Sequence, residues 1–71
     1  MIYTDKIHLI ADSKNELHEF ALKLGIYRHW YDANPKHPHY DIPKKKLTAV
    51  LQQPNVKIIS SKEIVLFFKN V

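Results

Sequence analysis

Two stretches near opposite ends of the chain carry the same signal. Each is a β-prone run followed at once by Ser-x-x-Glu: "HLIADSKNE" at residues 8–16 and "VKIISSKE" at residues 56–63. In this spacing the serine oxygen accepts the amide hydrogen of the third helical residue while the glutamate reaches back to the serine amide, so a helix begins there. The chain is therefore committed to strand-then-helix at both ends, which excludes all-α and all-β folds.

The segments between and around these signals extend the pattern. Ile2 to Ile10 is rich in strand formers, with Ile7 and Leu9 on one face and His8 and Ile10 on the other, and it reads as one strand. After Asp12-Ser13, Leu17, Phe20, Ala21 and Leu24 recur at helical spacing, and Gly25 supplies a left-handed stop. Ile26 to Tyr31 is aromatic and β-prone, a second strand, and residues 32–40 form a loop. Pro43 suits a helix start, Leu47, Val50 and Leu51 give a buried stripe, and Pro54 ends that helix. Val56 to Ile59 is a third strand, and a last helix runs from about Ser61 to Asn70.

This order predicts a single small α/β domain over residues 1–71, β-α-β-α-β-α, with a mostly parallel three-stranded sheet joined by right-handed crossovers. With 71 residues the stability margin is thin. The absence of cysteine excludes disulfide staples and thiolate metal sites. No apolar run approaches the ~20 residues needed to span a bilayer, and the N-terminal stretch lacks a signal-peptide layout, so a cytoplasmic location without membrane contact is expected. A net charge of +4, carried almost entirely by lysine, favours anionic partners without arginine's bidentate reading of bases.

In a parallel sheet the carboxyl ends of the strands share one edge, the usual ligand position in open α/β folds. The stretches 11–13, 34–41 and 60–61 would meet there, and "NPKHPHYDI" would supply its chemistry. Helix starts present free amides and partial positive charge, so with Lys44, Lys45 and Lys46 nearby an anion such as phosphate fits, although no glycine-rich phosphate loop is present.

His37 and His39 are two apart and face one way in extended chain, Asp41 continues that side, and His8 and Asp12 lie on the first strand. Such a set can share a metal ion, yet a short H-x-H-x-D in a solvated loop is the commoner case, and no metal ligand is assigned. His39 suits proton transfer. Asp12 and Asp41 serve either as catalytic carboxylates or as helix caps, and Ser13, Ser60 and Ser61 fit caps better than nucleophiles. Tyr40 either bonds a ligand or covers the core, and His18 belongs at the edge of an apolar stripe. Tyr27, Trp30 and Tyr31, with Arg28 and His29 between them, resemble a base-stacking surface, although in so small a protein Trp30 is more often core.

Taken in order, "HLIAD", "ELHEFALKLGI", "RHW", "HYDI" followed by a basic helix, and "VKIISSKEIV" resemble the bacterial and phage family known as domain of unknown function 4031. The resemblance covers nearly the whole chain and implies that His8, Asp12, Arg28, Trp30, His39, Tyr40 and Asp41 match the family pattern. The chain departs from it in three places. Lys6 and Ile7 follow the first Y-x-D directly, where the family carries a longer basic segment; Pro54-Asn55 stands where a glycine is usual; and His37 is additional.

The reading that follows is a domain binding a phosphate-bearing ligand, a nucleotide or nucleic acid, at the carboxyl edge of the sheet. His8, Ser13, Arg28, Tyr40, Lys44 and Lys45 would contact it, with His39, Asp41 and Asp12 as the reactive groups. One alternative is a metal-dependent hydrolase or nuclease using His39 with Asp12 or Asp41. A second is a phage interaction module or inhibitor of a host factor, forming a homodimer or meeting a protein partner through residues 64–68, where "IVLFF" is continuously apolar. Which cofactor, if any, such a site uses is left open by the residues.

Overall fold

A computed structural model of the chain describes residues 1–69. The strands are β1 (Ile2–Thr4), β2 (His8–Ala11), β3 (Tyr31–Asp32), β4 (His39–Asp41) and β5 (Val56–Ile58); the helices are α1 (Lys14–Lys23), α2 (Leu47–Leu51) and α3 (Ser61–Lys69). The strands form one sheet in the order β3-β4-β2-β1-β5. Only β1 and β5 pair in parallel; β1 with β2, β2 with β4 and β3 with β4 are antiparallel. The expected mostly parallel three-stranded sheet is therefore corrected to a five-stranded mixed sheet, mostly antiparallel, and the β-α-β-α-β-α order does not hold.

Two hairpins cause the difference. The expected first strand folds back on itself at Asp5–Ile7: Asp5 Oδ1 accepts the amides of Ile7 at 3.0 Å and His8 at 2.7 Å, Thr4 Oγ1 accepts the Lys6 amide at 2.9 Å, and Lys6 takes a left-handed φ of 77°. Side-chain oxygens thus do the work that an Asn-Gly pair does in commoner hairpins. The second hairpin lies where a loop was expected. Tyr31 pairs with Tyr40 and Asp32 with His39, while Asp32 and Asn34 side chains accept the amides of Asn34 and Lys36 to turn the chain between them. Residues 28–30, expected in a strand, form a 3-10 turn instead.

The helix signals act as their residues dictate. Ser13 Oγ accepts the Glu16 amide at 3.2 Å, and at α3 the capping box closes both ways, Glu63 amide to Ser60 Oγ and Ser60 amide to Glu63 Oε1, each 3.1 Å. Helix α1 ends in a Schellman motif: Gly25, with φ 73°, donates to the Leu22 carbonyl at 3.1 Å, and Ile26 donates to Ala21 at 2.9 Å. The helix expected after Pro43 is a 3-10 turn at Lys44–Lys46 leading into the short α2. Asn70, the expected end of the last helix, lies outside the described residues.

Alternation along the strands divides the molecule into layers. Ile2, Leu9 and Tyr40 pack with Leu17, Phe20, Ala21, Ile26 and Val50 into one core between the sheet and α1 and α2. His8, Ile10, His39 and Asp41 occupy the opposite face. Ile10, fully buried, stands apart from that core and lies on the side approached by α3, where the Phe67 ring meets Tyr3 at 5.5 Å. No described helix is long and apolar enough to cross a membrane.

Candidate metal centre

A mixed sheet has no single carboxyl edge, so the chemistry collects by register. His8 and Asp41 are cross-strand partners, and His39 lies two residues before Asp41, hence on the same face. One ring nitrogen from each histidine and a carboxylate oxygen of Asp41 lie within 4.8 Å of one another. The two imidazoles meet edge to face at 5.2 Å, and His39 Nε2 is 3.5 Å from Asp41 Oδ1 and 4.0 Å from Asp32 Oδ2.

Each histidine has its other nitrogen committed. His8 Nδ1 lies 3.0 Å from Asp5 Oδ2, and His39 Nδ1 lies 2.7 Å from the His37 carbonyl oxygen. Carbonyl and carboxylate oxygens only accept, so in both rings Nδ1 carries a hydrogen, and in the neutral ring Nε2 is the nitrogen whose lone pair can take a ligand. A hydrogen-bonded carboxylate or carbonyl behind each imidazole is the outer shell that protein metal sites use to fix tautomer and ring orientation. Tetrahedral ligands ~2.1 Å from a zinc ion sit roughly 3.4 Å apart, a spacing the His39–Asp41 pair already has.

Asp5 anchors this arrangement. Its side chain is 2% exposed, and besides the two backbone amides and His8 Nδ1 it accepts the Ser61 hydroxyl at 2.7 Å. Burial alone would push the Asp5 carboxyl up, but hydrogen bonds from the His8 amide and ring, Ser61 and the Ile7 amide outweigh it and hold the group well below the usual carboxylate range. Asp5 is thus a fixed anion that ties the β1–β2 turn, the His8 ring and the first residue of α3 together.

The other residues singled out in the sequence are dispersed. Asp12 is four residues beyond His8, about 13 Å along extended chain. There its carboxylate meets the N-terminal ammonium at 3.3 Å and accepts the Tyr3 hydroxyl at 3.1 Å. That ammonium also pairs with Glu16. Ser13 caps α1, and His37 contributes its carbonyl to His39, its own ring turning towards Phe68. Tyr40 points to the opposite face, 1% exposed, its hydroxyl 2.7 Å from His18 Nδ1. Burial, then Arg28 and Lys14, lowers the His18 pKa, while burial raises that of Tyr40 against Arg28; Arg28 itself is exposed in the 3-10 turn before β3. Lys44 lies in the 3-10 turn after β4, and Lys45 borders a separate depression described below.

A groove of about 940 Å³ runs from His8 and His39 along the sheet face to Asp12, Ser13 and Lys14, walled by Pro35–Pro38 on one side and by Ile64, Phe67 and Phe68 of α3 on the other. Lys14, Lys36 and Lys69 give it three cations against the single carboxylate of Asp12. The site missed from the sequence is Asp5 with Ser61; its one available signal was an aspartate three residues before a histidine at a point where the chain can turn.

Comparison with known proteins adds one match: the family model described as "Protein of unknown function (DUF4031)" aligns with residues 4–70. The chain belongs to this family. No curated protein and no solved structure matches it. The matched span contains all of Asp5, His8, His39, Asp41 and Ser61.

Proposed function

We propose that this protein binds a divalent transition-metal ion through His8 Nε2, His39 Nε2 and Asp41, and with it a phosphate-bearing ligand, a nucleotide or nucleic acid, lying along the groove. The observation that carries the proposal is the pair of imidazoles, each with Nδ1 held by an acceptor, with one ring nitrogen of each and an Asp41 oxygen within 4.8 Å of one another. Two imidazoles and one carboxylate suit zinc, manganese or iron, and three protein ligands leave positions for water and for a phosphate oxygen. The cationic groove supplies the long-range attraction for such an anion.

Hydrolysis of a phosphoester is the reaction this arrangement supports. An ion held by His8, His39 and Asp41 would supply Lewis-acid activation of a water and of a phosphate oxygen, so that the water oxygen could replace the leaving group at phosphorus while the water's proton passes to the departing oxygen. A cytoplasmic setting in bacteria or phage-infected cells, where nucleotides and divalent ions meet, belongs to the same proposal.

Calorimetric titration with zinc and manganese, followed by a nucleoside monophosphate or a short oligonucleotide, tests it. One ion per chain is expected, with tighter nucleotide binding in its presence, and His39→Ala is expected to abolish ion binding and the metal-dependent gain in nucleotide affinity while the far-UV spectrum is unchanged. A wild-type zinc and manganese affinity in His39→Ala would sink the proposal.

A further inference from the structure

Outside the groove of the metal centre, and sharing no lining residue with it, the turn after α1 displays aromatic rings that the core does not use. Tyr27 is 68% exposed and Trp30 38%, and neither belongs to the buried cluster. Tyr27 and His29 lie nearly parallel, 18° apart with centroids at 5.7 Å, and Trp30 continues the row at 5.6 Å from His29. Other large hydrophobics, Leu22 and Val65 among them, are also exposed, but these rings stand in a row, and a row of aromatic faces is a stacking surface.

The rim of the row names the ligand. Tyr27, His29 and Trp30 share a depression of about 280 Å³ with Gly25, Pro43, Lys45 and Lys46. Lys46 Nζ lies over Gly25, 3.1 Å from where a Cβ would stand, so the missing side chain lets the ammonium sit against the end of α1 beside the rings. Among the described residues no carboxylate lies within salt-bridge distance of Lys44, Lys45 or Lys46. Flat aromatic faces flanked by unneutralised lysines are the two elements of single-stranded nucleic-acid binding: every base has a π-face to stack, and the backbone phosphates meet the ammonium groups. A duplex hides its base faces, and an acidic peptide would use the lysines but leave the stack idle.

We infer that Tyr27, His29 and Trp30, with Lys45 and Lys46, form a second binding surface, one that takes single-stranded nucleic acid by base stacking. This inference stands on its own geometry and does not rest on the metal reading.

Trp30 is the only tryptophan, so its fluorescence reports this surface directly. The chain is titrated with a short oligothymidylate in EDTA, in parallel with an abasic oligonucleotide of the same length and with inorganic polyphosphate. Quenching by the oligothymidylate, absent with the two base-free polyanions, is the expected result. Tyr27→Ala, at an exposed position, weakens binding roughly 5- to 100-fold, and Lys45→Glu weakens it further at low salt, whereas His39→Ala leaves it unchanged. Equal quenching by polyphosphate or the abasic strand would reduce the surface to a charge patch and overturn the inference. So would an unquenched Trp30, or an affinity lost in His39→Ala and kept in Tyr27→Ala, which would place the strand in the groove instead.

Discussion

Replacing Asp5 with asparagine changes one atom of the buried carboxylate, and the hydrogen bonds determine which. Oδ1 receives two backbone amides, so the asparagine oxygen must stay there; the amide nitrogen then takes the place of Oδ2, against His8 Nδ1 and Ser61 Oγ. Ser61 can accept where it formerly donated, but the His8 ring must present a lone pair at Nδ1, which moves its hydrogen to Nε2 and removes that nitrogen as a ligand. Loss of such a carboxylate behind a ligating histidine typically costs about 10- to 100-fold in metal affinity. The fold weakens too, because charge-assisted hydrogen bonds worth about 1.5–3 kcal/mol become neutral ones worth about 1 kcal/mol. A net loss of about 1–3 kcal/mol follows, out of roughly 4–10 kcal/mol for a chain of this size. Urea unfolding gives the second quantity, metal titration the first, and ¹⁵N-detected imidazole spectra the tautomer. If Asp5→Asn binds zinc as the wild type does, with His8 still protonated at Nδ1, the argument from Asp5 to His8 is refuted.

Other consequences can be checked by unfolding alone. Burial lowers the His18 pKa, so the unfolded chain takes up its proton first and stability declines as pH falls below about 6.5. The depressed Asp5 carboxyl adds a second loss, beginning below about pH 4 and continuing as pH drops towards its folded value; Asp5→Asn should flatten that limb only. Gly25→Ala places a β-carbon at φ 73°, and since the Lys46 tip that it meets can swing away, the cost is the left-handed strain of about 1–2 kcal/mol. Ser60→Ala removes the acceptor for the Glu63 amide and should cost about 1 kcal/mol, read as a shift in the urea midpoint.

The local signals that rest on side chains of fixed geometry were legible: both serine caps, the glycine stop at Gly25, and the strand and helix at the C-terminal end. The hairpins were not. Asp5-Lys6-Ile7 contains no glycine or proline, and its turn exists because Thr4 and Asp5 oxygens hold the backbone amides, a three-dimensional fact that alternation cannot reveal. "HYD" is three residues, too short for a period, and becomes a strand because β2 pairs with it on one side and β3 on the other. Once β2 and β4 are antiparallel, His8 falls opposite Asp41 while Asp12 goes to the far end, so the grouping of His39 and Asp41 was visible from their two-residue spacing but their partner depended on register. Trp30 fits either a base-stacking surface or the core from sequence, and its exposure goes with residues 28–30 forming a 3-10 turn, which takes the ring out of the strand alternation.

Anomalous diffraction from crystals grown with zinc or manganese would show where the ion sits. A metal centre at His8, His39 and Asp41 predicts a single strong peak about 2.0–2.2 Å from His8 Nε2, His39 Nε2 and an Asp41 oxygen, with Asp5 still bonded to His8 Nδ1. A peak at the carboxylates of Asp12 and Glu16 instead, or none at millimolar metal, would contradict that assignment.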